Sequence, residues 1–211
     1  MSTEKWSFDR EAANWDHNPI RVQLANDIFK ALRDERILKP EMDILDFGCG
    51  TGLLTLQLAA VVRSVTGVDS SRGMLDVLEA KIEDGNLTTV KAHYLDLEKG
   101  DVLEGSYNLV VSSMTLHHVR EIRPLLDRFH DLTTPGGHLC IADLDPEEGR
   151  FHGNNDTVFH HGFDRAMLHR VFVEAGFEQV RDRTAAKVVK PASDGTMQSF
   201  DVFLMMGRKG L

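Results

Sequence analysis

The chain has 211 residues, of which 42% are hydrophobic and 27% are charged, the composition of an ordinary globular protein. Its 24 lysines and arginines stand against 33 aspartates and glutamates, and the net charge of -9 argues against nucleic acid as a partner, because phosphate binding depends on basic side chains. No apolar run reaches the ~20 residues that span a bilayer, and the first residues (MSTEKWSFDR) lack a secretory signal, so we expect no membrane partner and a cytoplasmic location.

The first 40 residues are predicted to form a helical cap on a single domain that spans residues 1–211. Residues 1–19 are polar but carry the large aromatic side chains Trp6, Phe8 and Trp15, so this segment is expected to lie across the domain surface. Apolar residues then recur at helical spacing over residues 20–38, and Pro40 ends that predicted helix.

Residues 42–59 (MDILDFGCGTGLLTLQLA) are the part of the chain on which the functional predictions depend. An apolar strand over residues 44–47 leads into the glycine turn at residues 48–52 (GCGTG), and a helical pattern follows over residues 53–62. Glycines adopt positive φ angles and let a ligand approach the main chain, while the helix directs unpaired N–H groups to the same point. We therefore expect a nucleotide-like ligand, with an unliganded strand-to-helix turn as the alternative. The G-x-G-x-G spacing differs from the G-x-G-x-x-G of dinucleotide-binding proteins.

Acidic residues follow the next two predicted strands. Asp69 ends the strand over residues 64–69 (SVTGVD), about 20 residues past the glycine turn, where a carboxylate can accept hydrogen bonds from ribose hydroxyls. The alternative is that it caps the helix that begins after Ser71. Asp96 follows the strand over residues 88–94, where it borders the same crevice or serves only as a solvated turn residue.

Further strands and helices alternate in the second half of the chain. Residues 107–112 (YNLVVS) have the continuous apolar pattern of a strand covered on both faces, and a helix is predicted over residues 120–132. Residues 135–137 (PGG) turn the chain into a strand over residues 138–143. The irregular residues 144–162 are long for a loop, which is typical of a lid or an acceptor-side element. A helix over residues 163–175 ends at Gly176.

The last two predicted strands, over residues 177–189 and 199–207, decide the topology. About eight residues separate them, fewer than the dozen or so that a parallel crossover needs, so they form an antiparallel hairpin. We therefore predict an α/β fold with a Rossmann-like, seven-stranded, mostly parallel sheet, an antiparallel C-terminal hairpin strand and helices on both faces. The six-stranded dinucleotide-binding sheet lacks this hairpin.

Five segments in this order, ILDFGCGTG, VTGVDSS, LDLE, YNLVVSSMTLHHV and TPGGHLCIADLD, resemble the motifs of small, single-domain class I S-adenosylmethionine-dependent methyltransferases of the type 11/12-like kind. The resemblance implies S-adenosyl-L-methionine as the cofactor, with Asp69 on the ribose, Asp96 and Leu97 on the adenine, and the loop glycines under the methionine moiety. Trp15 and Arg21 either close over the methionine end or only pack the N-terminal helix. The cofactor-binding candidates are Trp15, Arg21, Asp46, Gly48, Cys49, Gly50, Gly52, Asp69, Ser70, Asp96, Leu97 and Ser112.

Methyl transfer is an in-line displacement with a neutral leaving group, so holding the acceptor about 3 Å from the methyl group itself lowers the barrier. An acceptor that must lose a proton is helped by a base with a pKa near 7, for which histidine is suited. The catalytic candidates are His118 after the fourth strand, Asp143 at the end of the fifth strand, and His160 and His161 in the long loop. The last two have either an acceptor-side proton role or a role in a lid.

Two adjacent histidine pairs raise the question of a metal site. Neighbouring side chains are expected to diverge, and no recognised metal-binding spacing is present, so no metal is expected. His117 and His118 are better explained by structural packing or by packing against the cofactor. Asp143 and Asp145 either hold a cationic acceptor or cap the loop. Cys49 and Cys140 are expected to be packed small residues.

The predicted function is methyl transfer from S-adenosylmethionine to a small-molecule acceptor, with specificity residues drawn from residues 1–30 and 144–162. One alternative is a nicotinamide-dependent oxidoreductase, which the glycine spacing and the terminal hairpin disfavour. The other is a non-catalytic S-adenosylmethionine-binding protein. The acceptor atom and the oligomeric state stay open at this level.

Overall fold

A computed structural model describes residues 7–192 and 194–211, so the expectation for Trp6 lies outside the described residues. Its strands are β1 (Asp43–Phe47), β2 (Ser64–Asp69), β3 (Val90–Tyr94), β4 (Tyr107–Ser113), β5 (Thr133–Leu144), β6 (Phe177–Pro191) and β7 (Met197–Lys209). These seven strands form one sheet in the order β3-β2-β1-β4-β5-β7-β6. Neighbouring strands from β3 to β5 are parallel, whereas β7 is antiparallel to both β5 and β6. The predicted fold class is therefore confirmed.

Helices cover both faces of this sheet: α1 (Phe8–Glu11), α2 (Pro19–Asp34), α3 (Thr55–Ala59), α4 (Arg72–Asp84), α5 (Ile122–Leu132) and α6 (Arg165–Glu174). The side chains of strand β5 alternate between the two faces: Cys140 and Ala142 belong to the core under α2 and α3, while Leu139 and Ile141 belong to the core under α5 and α6. Among the described residues, no helix has the length and apolar character that a membrane span needs.

Two predicted helices and one predicted turn differ from the structure. Helix α2 ends at Asp34 rather than residue 38, because Arg36 adopts a left-handed conformation with φ 56°. Helix α3 is confined to five residues, and the preceding residues form turns. The predicted turn at residues 135–137 is an irregularity inside β5: Tyr107 pairs with Thr133, whereas Leu109 pairs with His138.

An N-terminal segment, residues 7–17, lies against the glycine loop and the start of α4. The Asp9 carboxylate accepts hydrogen bonds from the Ser71 hydroxyl at 2.6 Å and from the Gly73 N–H at 2.9 Å. A Cβ on Gly73 would lie only 2.7 Å from the Asp9 carbonyl oxygen, so the contact requires glycine there. At the other end of the segment, Asp16 accepts a 2.5 Å hydrogen bond from the Thr51 hydroxyl.

Gly73→Ala is expected to detach the N-terminal segment. Alanine favours a helix by about 1 kcal/mol over glycine, so without the contact to Asp9 the variant would be more stable than the wild type. With the contact, the new methyl group pushes the segment away, and hydrogen exchange of residues 8–17 rises severalfold.

Hydrogen–deuterium exchange with mass spectrometry measures this change. Gly153→Ala is the control, because no described atom lies within 4 Å of its Cβ position. Unchanged exchange of the segment together with a higher melting temperature in Gly73→Ala would contradict the docking.

Candidate functional site

The glycine loop between β1 and α3 offers bare main chain at one position. Gly48, Gly50 and Gly52 all have positive φ angles. A Cβ on Gly48 would overlap the Thr115 hydroxyl at 2.1 Å, and one on Gly52 would lie 2.4 Å from Leu78, so these two glycines are needed for packing. The Cβ position of Gly50 has no described atom within 4 Å. Gly50 is therefore where a ligand can reach the loop.

Asp69, at the end of β2, fixes this loop. One carboxylate oxygen accepts the Gly50 N–H at 2.8 Å, and the other accepts the Ser71 N–H at 2.9 Å. Burial raises the pKa of Asp69, and the main-chain hydrogen bonds partly offset this rise. The helix cap proper is Ser71, whose hydroxyl accepts the Met74 N–H. Because each carboxylate oxygen has two lone pairs, Asp69 keeps the capacity to accept hydroxyl groups of a ligand.

Asp96 and Leu97 lie where β3 ends, as predicted. The Asp96 carboxylate pairs with the Lys99 ammonium at 2.9 Å and accepts hydrogen bonds from the Tyr94 hydroxyl and the Glu98 N–H. Lys99 is the main cause of its lowered pKa. Asp96 thus caps the short turn Leu97–Lys99, and the Leu97 side chain is exposed. The adenine contact stays a prediction.

Asp46 is buried beneath the glycine loop rather than exposed to the crevice. Its carboxylate accepts a 2.6 Å hydrogen bond from the Thr55 hydroxyl, and burial raises its pKa to about 7, with a further contribution from the charge of Asp69. Cys49 is also buried, and burial raises the pKa of its thiol well above the usual value. Ser112 is buried too, whereas Ser70 is exposed.

Trp15 and Arg21 meet at the edge of the crevice. The Arg21 guanidinium lies over the Trp15 ring at 3.6 Å from the ring centroid. Phe8 packs against Trp15 at 5.9 Å on one side and against His118 at 5.1 Å on the other. The N-terminal segment is therefore joined by aromatic contacts to the chain that follows β4.

That chain turns sharply at the edge of the sheet. Met114 has the left-handed φ of 55° that non-glycine residues rarely adopt, and its N–H is bonded to the Ala142 carbonyl. The 3₁₀ turn Leu116–His118 follows, and it places the rings of His117 and His118 only 4.1 Å apart. The two rings therefore lie together, contrary to the reasoning from the sequence that neighbouring side chains diverge.

Asp143 holds His117 in place. Both side chains are fully buried, and the Asp143 carboxylate lies 2.7 Å from Nδ1 of His117. The same carboxylate also accepts the main-chain N–H groups of His117 and Leu144. Asp143 therefore positions the histidine turn rather than facing an open site.

A basic cavity of about 280 Å³ opens beside this turn. His118 donates from Nδ1 to the Thr157 carbonyl at 2.7 Å, and burial is the main cause that lowers its pKa to about 4. Lys190 lies over the Phe151 ring at 3.7 Å, and its pKa is lowered by burial and by the nearby charge of Arg21. The cavity is lined by Arg21, His118, His152, Gly153, Asn154, Thr157 and Lys190.

Other predicted residues do not line this cavity. His160 is bonded through Nε2 to the Val119 carbonyl, and the side chain of His161 is half exposed near Glu147. Asp145 forms a bidentate ion pair with Arg165, which agrees with the alternative that Asp145 caps the loop. Two residues that line the cavity, His152 and Lys190, were not predicted from the sequence, and the position of His152 in an irregular loop carries no spacing signal.

Comparison with known proteins gives consistent matches. A family model described as "Methyltransferase domain" matches residues 20–181. An uncharacterized methyltransferase of Schizosaccharomyces pombe is 33% identical over 139 residues, which cover 59% of this chain and 49% of that protein. The chain spans about half to two thirds of the length of the first curated relatives it matches.

Two solved structures share the fold. One is from a complex between the Trm112 methyltransferase activator of Haloferax volcanii and a putative methyltransferase, with a TM-score of 0.74 and 16% identity over 99% of this chain and 100% of that chain. The other is phosphoethanolamine N-methyltransferase 2 of Haemonchus contortus, with a TM-score of 0.71 and 16% identity over 100% of this chain and 62% of that chain. At these identities the likeness concerns the fold alone.

Asp46→Asn is expected to change the pH dependence of stability. Because the pKa of Asp46 is about 7 in the folded state against an ordinary value of 3.8, the folded protein keeps a proton that the unfolded chain has lost over this window. The free energy of unfolding therefore falls as the pH rises from about 4 to 7, by about 1.4 kcal/mol for each tenfold drop in proton concentration. The variant keeps the acceptor for Thr55 and lacks this decline.

Urea unfolding at pH 4.5 and pH 8 measures the difference. Asp43→Asn on the same strand is the control, because ionisation of Asp43 changes the free energy of unfolding in the opposite direction. The hydrogen bond from Arg63 lowers the pKa of Asp43 to about 2, so the charge of Asp43 stabilises the fold at neutral pH. Parallel stability curves for the wild type and Asp46→Asn would show that Asp46 is ionised in the folded protein.

Proposed function

This chain belongs to the methyltransferase domain family, as its resemblance to class I S-adenosylmethionine-dependent methyltransferases predicts, and we propose that it transfers a methyl group from S-adenosylmethionine to a small anionic acceptor. The observation that carries the proposal is the pairing of Asp69 with Gly50. A half-buried carboxylate at the end of β2 lies beside bare main chain at the end of β1, and ribose hydroxyls that approach this edge of the sheet can donate hydrogen bonds to that carboxylate.

Two acids near the loop suit a cationic cofactor. Asp69 is half-buried and Asp46 lies beneath the loop, and burial raises the pKa of both carboxyl groups. S-adenosylmethionine carries a sulfonium and an ammonium group, and a positive charge close to these carboxyl groups relieves their mutual repulsion. The cofactor itself supplies the chemistry, since its sulfonium makes the methyl carbon electrophilic.

The N-terminal segment closes the site. Asp9 and Asp16 anchor it to the helix α4 and to the glycine loop, and Phe8 joins it to His118. A closed crevice excludes water and holds the acceptor in line with the methyl group, which can lower the barrier by several kcal/mol. We assign the stacked pair Trp15 and Arg21 to the boundary between the cofactor and the acceptor.

The basic cavity is assigned to the acceptor. Arg21 and Lys190 both line this space, and burial lowers the pKa of each, so an anionic group between them would be favourable. A carboxylate or a phosphate on the acceptor would supply that charge.

Among the predicted bases, only His118 lines the cavity. Its Nδ1–H is held by the Thr157 carbonyl, so Nε2 presents a lone pair. A pKa of about 4 makes it a weak base that stays neutral at pH 7, better suited to receive a hydrogen bond or a cation than to keep a proton. We therefore propose that catalysis depends mainly on positioning.

Binding of S-adenosylhomocysteine is the first test of this function. Asp69→Asn should weaken it by about 10- to 150-fold, because a hydrogen bond to a charged group contributes about 1.5–3 kcal/mol. Calorimetry measures the affinity, and circular dichroism confirms that the variant is folded. Asp76→Asn, an exposed change on α4, should bind like the wild type.

Three results would overturn the proposal in different ways. Dissociation constants above millimolar for both S-adenosylmethionine and S-adenosylhomocysteine would remove the cofactor. Tighter binding of NADH would favour the oxidoreductase. Tight cofactor binding without methyl release to a broad panel of acids, phenols, thiols and amines would favour the non-catalytic alternative.

The acceptor assignment is tested by Lys190→Ala. For an anionic acceptor found in such a panel, the variant should raise KM by roughly 10-fold or more, since it loses a charge-assisted contact, while cofactor affinity stays unchanged. Lys187→Ala is the matched control on the same strand, where the exposed lysine pairs with Asp201. Equal KM values in the two variants, or faster methylation of neutral and cationic acceptors, would contradict an anionic acceptor.

A further inference from the structure

Three histidines from distant parts of the chain converge at one wall of the basic cavity. His117 and His118 belong to the turn after β4, and His152 comes from the long loop after β5. The His152 ring lies 5.0 Å from the ring of His117 and 5.6 Å from that of His118, measured between centroids. One ligand atom from each residue can be chosen so that all three lie within 4.8 Å of one another.

His117 is prepared to present a lone pair. Its Nδ1 lies 2.7 Å from the Asp143 carboxylate, which fixes the proton on Nδ1 and leaves Nε2 as the free acceptor. This Nε2 is buried and has no hydrogen-bond partner among the described residues. A carboxylate behind a histidine is the arrangement that orients metal-binding imidazoles and makes them better ligands.

The rings of His118 and His152 also offer nitrogen atoms as ligands. His118 gives its Nδ1–H to the Thr157 carbonyl at 2.7 Å, so its Nε2 is also a free acceptor. Nε2 of His152 is buried without a hydrogen-bond partner in the described part of the chain. Three imidazole nitrogens thus lie close together, and a cation would satisfy them: two are made acceptors by the hydrogen bonds of their rings, and two are buried without a partner among the described residues.

We propose that His117, His118 and His152 bind a divalent transition-metal ion, best matched to Zn²⁺. Neutral imidazoles are common Zn²⁺ ligands, and three of them leave one position of a tetrahedral site open. Zn–N bonds of about 2.0–2.1 Å place ligand atoms roughly 3.3 Å apart, so the three rings draw together by rotating about their side-chain bonds when the ion binds.

The open position faces the basic cavity, since His118 and His152 both line it. On the proposed function, this position would take an oxygen, nitrogen or sulfur atom of the acceptor, while Arg21 and Lys190 hold its anionic group. The metal site itself does not depend on that function, because its ligands and their hydrogen bonds belong to the protein alone.

Titration of the EDTA-treated 211-residue chain with Zn²⁺ by calorimetry tests the proposal. The expected result is one ion per chain. His152→Ala should bind at least 10-fold more weakly, and Asp143→Asn should lose affinity by about 10- to 100-fold, as changes behind a metal-binding histidine do. His169→Ala on α6 is the control and should bind as the wild type does.

Co²⁺ provides a readout of geometry. The wild type should develop the intense visible absorption of tetrahedral Co²⁺, and His152→Ala should lose it while retaining its circular dichroism. Equal Zn²⁺ affinity in the wild type, His152→Ala and His169→Ala, or no binding tighter than millimolar in the wild type, would overturn the site. Calorimetry with S-adenosylhomocysteine on the same preparations separates the two proposals. Absence of S-adenosylhomocysteine binding would contradict the proposed function, but it would not change the result for metal binding.

Discussion

The site depends on the main-chain hydrogen bonds of one carboxylate, that of Asp69. It accepts main-chain N–H groups from both the glycine loop and the start of α4, and so it joins the ends of β1 and β2 in one rigid edge. Burial opposes its negative charge and raises its pKa, yet these hydrogen bonds keep the carboxylate in place. The same charge contributes to the raised pKa of Asp46 beneath the loop. A cation is the ligand that such a pair of acids favours.

A second buried carboxylate organises the opposite side of the crevice. Asp143 holds the imidazole of His117 and two main-chain N–H groups, and it thereby fixes a turn that begins at the left-handed residue Met114. The N-terminal segment connects the two halves of the site, because its Phe8 ring packs against the His118 ring. Acidic groups thus lie beside the glycine loop and cations line the cavity beside the histidine turn, a charge distribution that suits the proposed transfer of a methyl group to an anionic acceptor.

The sequence predicted those features that local patterns determine. A few consecutive residues are enough to recognise the glycine turn, the acid at the end of β2 and the short final connection. The sheet topology could therefore be predicted from them. The end of α2 did not, because it depends on the left-handed Arg36, and neither did the bulge in β5, which depends on pairing with β4. His152 was missed because only tertiary packing brings its loop to the histidine turn.

The most direct test of the account is a crystal structure of the chain with S-adenosylhomocysteine bound. We expect both ribose hydroxyls within hydrogen-bonding distance of the Asp69 carboxylate, the ligand backbone passing over Gly50, and the N-terminal segment closed above the ligand. Density for the ligand elsewhere on the molecule, or a ribose turned away from Asp69, would show that Asp69 does not bind the cofactor.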